Sequence, residues 1–119
     1  MKTLFAAVFL LFAIHANAAD FTYQGNKIDV LIDVRTPEEF ASGHIDGAIN
    51  LPYDQIDAKN SAVAAIDKGR SILVYCRSGR RSAIARDSLQ QLGYRQVLDG
   101  GAMSATQSSL KHCKGSDCQ

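Results

Sequence analysis

The stretch SILVYCRSGRRSAIARDSL, Ser71 to Leu89, passes from five consecutive apolar or thiol side chains into Arg-Ser-Gly-Arg-Arg and then into a helical pattern. An unbroken run of this kind, from Ile72 to Cys76, predicts a strand covered on both faces. Between Arg81 and Leu92 the residues Ala83, Ile84, Leu89 and Leu92 fall near helical spacing, and Gly93 stands just past the end, which predicts a helix. The chain must therefore turn within Cys76 to Arg80. Gly79 permits the positive φ that such a turn uses.

Outward from this unit the chain alternates strand-like and helix-like segments. Ile28 to Val34 reads as one buried strand, and Thr36-Pro37-Glu38-Glu39 as a capping box with proline at the first helical position, opening a short helix to about Ser42. Gly43 to Pro52 reads as loop, short strand and loop. Asp54 to Ile66 carries an interrupted helical stripe, Val97 and Leu98 a last short strand, and Ala102 to Leu110 a final helix. Alternation of this sort predicts a small three-layer α/β domain, a mostly parallel central sheet flanked by helices. In such sheets ligands bind beyond the carboxyl ends of the strands, and Cys76 sits at one of those ends.

With 119 residues the chain has room for one domain, since compact domains run to roughly 100 to 150 residues. Lys2, the apolar Thr3 to Ile14 and Ala16-Asn17-Ala18 read as a secretory signal peptide over residues 1–18, leaving a single domain over 19–119 with a short Cys-containing tail. Its apolar core is shorter than the roughly 20 residues that span a bilayer, so a retained anchor is the lesser alternative. The expectation is an exported, periplasmic protein with no membrane attachment after cleavage. Of the 13 basic residues Lys2 leaves with the signal, and 12 basic then balance 12 acidic ones. A neutral mature chain has no general electrostatic drive toward nucleic acid. Locally, Arg77, Arg80, Arg81 and Arg86 precede the next acid, Asp87, and point to a small anionic partner.

Three cysteines in an exported chain leave one unpaired. Cys113 and Cys118 lie close together with Gly115 and Ser116 between them, suited to a small disulfide; two reduced thiols, or a metal half-site with His112, are the alternatives. Cys76 is then the free thiol. Such a thiol ionises more readily near cations and a helix N-terminus, and a glycine turn lets successive N–H groups form an anion-binding nest. A cysteine that merely ends a strand is often only a small buried hydrophobe. It has no use for a nest or for clustered guanidiniums.

LIDVRTPEEFASGHIDGAINLP (Leu31 to Pro52), ILVYCRSGRRS (Ile72 to Ser82) and GYRQVLDGG (Gly93 to Gly101) together resemble the single-domain rhodaneses, and with an export signal most resemble the small periplasmic phage shock protein E type. The resemblance implies that Cys76 takes the outer sulfur of thiosulfate as a persulfide and passes it to cyanide or a thiol acceptor, without cofactor or metal. It implies an active loop of Cys76 with Arg77, Ser78, Gly79, Arg80 and Arg81, in which Arg80 and Arg81 attract the dianion. Asp33 and Arg35 match an element expected to brace the loop, an ordinary strand-end ion pair being equally in keeping with it. His44 reads as structural, and Gly100 and Gly101 match a turn. Where many members carry a tryptophan this chain has Ala105.

Two other functions stand beside sulfur transfer. Cysteine phosphatases and arsenate reductases place an arginine six residues after the nucleophile, where this chain has Ser82. A non-enzymatic persulfide carrier or binding module would keep the same cysteine. Thioredoxin-like redox chemistry is disfavoured because Cys76 has no neighbour at C-x-x-C spacing.

Overall fold

Two β-rich runs, ending at Asp33 and Cys76, form the middle of the molecule. The structure, a computed structural model, describes residues 21–113; the expected signal peptide and Cys118 lie outside the described residues. In chain order the elements are β1 (Phe21–Tyr23), β2 (Asn26–Ile28), β3 (Val30–Asp33), α1 (Pro37–Ser42), β4 (Ile49–Asn50), a 3-10 turn (Tyr53–Gln55), α2 (Ser61–Ala64), β5 (Ser71–Cys76), α3 (Arg80–Gln91), β6 (Gln96–Ala102), α4 (Met103–Ser109) and β7 (Leu110–His112). Strands β4, β3, β5 and β6 lie side by side in that order, every neighbouring pair parallel. Strands β2, β1 and β7 form a separate antiparallel sheet.

Side chains of β5 alternate between two cores, as a strand's period of two requires. Ile72, Val74 and Cys76 join Val63 of α2 and Ala85 and Leu89 of α3. Leu73 and Tyr75 join Phe21, Ile28, Leu31 and Ile45, with Phe40 of α1 and Met103 of α4 packed against them. Both faces are thus covered, which is why the run is continuously apolar. Each fully buried aliphatic side chain here contributes about 1.5 to 3 kcal/mol. Parity also decides where the thiol goes: Cys76 falls on the α3 side, under the start of that helix.

Local chemistry sets the ends of the helices. Thr36 Oγ1 accepts from Glu39 N at 3.2 Å while Glu39 Oε1 accepts from Thr36 N at 3.0 Å, the expected capping box. Asn60 caps α2, its Oδ1 accepting from Ala62 N at 2.9 Å and Val63 N at 3.3 Å. In β6 the register slips, Val74 facing Asp99 but Tyr75 facing Gly101, so Gly100 is the extra residue of a bulge. A side chain at Gly100 would strike Thr106 of α4.

The structure corrects several boundaries. Ile28 to Val34 is not one strand: Ile28 ends β2 and Val30 begins β3. Asp29 marks the crossing between sheets, its N donating to Ser71 O at 2.9 Å and its Oδ2 accepting from Ser71 N at 2.9 Å. The helix expected from Arg81 starts one residue earlier, and the interrupted stripe after Asp54 resolves into the 3-10 turn and the single turn α2. The strand foreseen at Val97 and Leu98 extends to Ala102, while Leu110, expected to end a helix, opens β7. The β1–β2 hairpin went unread. It turns at Gln24-Gly25, both at positive φ, 51° and 81°, between two strands of three residues each.

Candidate active site

Cys76 ends β5 fully buried, and the chain above it folds back through Arg77, Ser78 and Gly79 into α3. Gly79 lies at φ 104° as the N-cap of α3, and from there its N–H donates to Cys76 Sγ at 2.9 Å. The thiol in turn donates to Ser82 Oγ at 3.5 Å, and the Ser82 hydroxyl donates to Gly79 O at 3.0 Å. Burial is the largest single influence on the thiol and pushes its pKa up. Hydrogen bonds from the Ser82 side chain and from the backbone N–H groups of Ser82, Gly79 and Ser78 together outweigh it and leave Cys76 below the ordinary cysteine value. When the thiol ionises, the Ser82 hydroxyl is free to turn its hydrogen from Gly79 to sulfur. The nest expected from the sequence is present, with a serine on the first turn of the helix completing it.

The arginines divide into two kinds. Arg77 and Arg80 are exposed, and among the described residues neither has an ion-pair partner. Arg81, expected to attract the dianion, instead grips Glu39 of α1 through two bonds, Nη1 to Oε1 at 2.7 Å and Nη2 to Oε2 at 3.0 Å. That bond first, and the Thr36 backbone second, hold the Glu39 carboxyl at about 2. Arg81 is therefore charge-compensated and ties the loop to α1. Arg86 lies apart, paired with Asp87 at 3.2 Å.

Asp33 and Arg35 form a buried pair, their side chains 0% and 9% exposed. Arg35 Nη2 meets Asp33 Oδ2 at 2.6 Å and Nε meets Oδ1 at 2.9 Å. The same Nη2 donates to Gly43 O at 2.7 Å, and Asn50 Nδ2 reaches both Asp33 O and Arg35 O at 3.0 Å. The brace thus runs from β3 to the end of α1 and to β4. Arg35 also lies over the ring of Tyr75, 6.0 Å from its centroid, and lines one cleft with Arg77 of the loop. His44 stacks on Phe40 with centroids 3.6 Å apart and its Nδ1 lies 2.8 Å from Phe40 O, a packing role. Cys113 is disulfide-bonded and Cys76 is a free thiol; Cys118, the expected partner, lies outside the described residues.

Residues 17–107 match the rhodanese-like domain family. The chain belongs to that family. It is 39% identical over 72 residues to the thiosulfate sulfurtransferase PspE of Escherichia coli, covering 60% of this chain and 68% of that protein. It is 44% identical over 70 residues to a sulfurtransferase of Allochromatium vinosum, covering 59% of this chain and 63% of the other. An E. coli rhodanese solved with anions superposes with a TM-score of 0.59 at 33% identity, over 71% of this chain and 98% of its own. Relatives so named support sulfur transfer as the class of chemistry. The four-stranded parallel sheet flanked by helices is the rhodanese architecture foreseen in the sequence.

Within this rhodanese-like domain, sequence reasoning passed over three residues that shape the site. Ser82 was weighed only as a missing arginine, yet it stands buried against the thiol. Glu39 was fully accounted for by its capping box. Asn50, bridging two backbone carbonyls, carries no local signal. Among the described residues no cluster of three His, Cys, Asp or Glu side chains is placed to hold a metal, and no helix is long and apolar enough to cross a membrane.

Proposed function

We propose that the protein is a thiosulfate sulfurtransferase working through a persulfide on Cys76. The Cys76 thiolate attacks the outer sulfur of thiosulfate. The bond between the two sulfur atoms of the donor breaks, its electron pair leaves with sulfite, and Cys76 carries the transferred sulfur as an anionic persulfide. Cyanide or a thiol then removes that sulfur and returns the thiolate. The observation that carries this reading is the ring of donors around Sγ, above all Gly79 N–H at 2.9 Å, at the mouth of a twelve-residue helix. Donors aimed at an anion in a water-poor site stabilise charge without reorganising. Arg77 and Arg80 are the guanidiniums available to draw in the donor dianion.

A phosphoryl group is a poorer fit. The sixth position after the cysteine holds Ser82, hydrogen-bonded inward, so no guanidinium stands where a phosphatase clamps its substrate. Export to the periplasm, with residues 1–18 removed, is part of the proposal, since Cys113 in a disulfide accords with an oxidising compartment.

Incubation with thiosulfate should add one sulfur atom to the intact mass, and Cys76→Ser should lose both the adduct and thiocyanate formation while keeping the fold. Substantial turnover by Cys76→Ser would refute the assignment. A stable adduct without turnover would mark a carrier.

A further inference from the structure

At the end of the sheet opposite Cys76, where β5 and β6 begin, lies a cleft of about 400 Å³. Ser71 lines it, and the length of β5, about 16 Å, separates Ser71 from the thiol. Strand β6 contributes Gln96, Val97 and Leu98 in succession. Successive strand side chains point to opposite faces, so one cavity meets all three only along the strand's edge. That edge is open: β6 ends the four-stranded sheet and, among the described residues, pairs with β5 alone. Another part of the wall is β2, which supplies Lys27 and ends the three-stranded sheet. The ends of two sheets thus meet at one cleft. Both of its charged side chains, Lys27 and Arg95, are cations; both are exposed, and neither has an ion-pair partner among the described residues. Two acids close by in the chain do not line it, and each accepts a backbone N–H at 2.9 Å, Asp29 from Ser71 and Asp67 from Gly69. A lysine beside an open edge discourages pairing with ordinary apolar strands. It favours a strand that brings acidic side chains.

We propose that this cleft docks an acidic segment of a partner protein, bound in extended form as an added strand on the open edge of β6, with its carboxylates paired to Lys27 and Arg95. Main-chain hydrogen bonds to β6 supply affinity whatever the partner's sequence, and the two cations select for acidic side chains. Gln90, exposed at the end of α3, adds an amide that can both donate and accept along the same cleft. A small anion would satisfy the two cations but has no backbone to match three successive strand residues. The inference does not depend on the sulfur chemistry, and a segment held here leaves the end of the sheet that carries Cys76 uncovered.

The probe is a blocked pentapeptide that alternates glutamate with valine. A counterpart with lysine in place of glutamate reverses its charge, and a third version, N-methylated at alternate amides, keeps the charge but lacks the donors of a ladder. Each is titrated into the protein while the amide NMR signals of Val97 and Leu98 are followed. The glutamate peptide should shift both signals to saturation, the lysine peptide should leave them unmoved, and N-methylation should weaken binding about tenfold or more. Lys27→Glu combined with Arg95→Glu should lose the glutamate peptide and gain the lysine one. The milder Lys27→Gln, which only removes a charge at an exposed position, should weaken the glutamate peptide several-fold and serves if the double variant melts early. Unmoved signals with the glutamate peptide, or equal binding of the two charge forms, would overturn the proposal. Equal binding of the methylated and unmethylated forms, or inorganic phosphate shifting the same signals as strongly, would reduce the cleft to a site for small anions and overturn it as well.

Discussion

At Gly79 a single residue does what a side chain could not. Its φ of 104° turns an N–H onto sulfur, and a Cβ there would meet nothing nearer than Gly101 Cα at 3.8 Å. The cost of Gly79→Ala is therefore one of backbone conformation, about 1 to 2 kcal/mol, and the turn relaxes by moving its N–H off Sγ. Alkylation of Cys76 rises with pH as the thiol ionises, and the hydrogen bonds from Ser82, Gly79 and Ser78 place that rise below the ordinary thiol range. Iodoacetamide rates against pH should show the curve displaced to higher pH in both Gly79→Ala and Ser82→Ala; superimposable curves would remove these groups from the account. The two arginines that start α3 should part company. Arg80→Ala, losing an unpaired charge, should raise KM for thiosulfate several-fold, a loss on the order of 1.5 kcal/mol or less at so exposed a position. Arg81→Ala should chiefly lower stability, which steady-state kinetics and thermal melts on the same samples will separate.

Between elements, the contact that decides most is Glu39 to Arg81, joining α1 to the first turn of α3. Its carboxyl sits at about 2, well below the ordinary carboxylate range, so the folded value is the lower one. The stabilisation is complete above about pH 4.5 and is lost as pH falls toward 2. Both side chains are about a fifth to a quarter exposed, which keeps the pair near 1 kcal/mol. Melting midpoints of the unaltered protein should accordingly fall more steeply from pH 5 to 2 than those of Glu39→Gln, while at pH 7 Glu39→Gln, by releasing Arg81, should lower KM for thiosulfate. Parallel curves would mean that the pair contributes nothing. None of this was legible in the chain, because 42 residues separate the partners and the capping box explained Glu39 by itself. What could be read was local: β5 from its unbroken apolar run, α3 from its spacing and Gly93, the nest from Gly79. The β1–β2 hairpin and β7 were missed for the opposite reason, being three residues each and strand-like only once paired.

Across the whole molecule, two cores share one sheet, and the buried pair Asp33–Arg35 stands where the sheet, α1 and β4 meet. Arg35→Met would strand a carboxylate that is 0% exposed, a change that costs about 3 to 5 kcal/mol. Denaturant unfolding should show a loss of that size, and the double change Asp33→Asn with Arg35→Met should recover a good part of it; a double variant as weak as the single one would mean that the carboxylate itself was never the problem. The small sheet carries a consequence for the order in which the protein is made. Phe21 pairs on one side with Ile28 and on the other with His112. A growing chain can close the first pairing almost at once, but the second waits until Leu110–His112 has emerged from the ribosome. Until then β1 keeps one open edge, although the nucleophile Cys76 is already synthesised, so the small sheet is the part of the fold completed last.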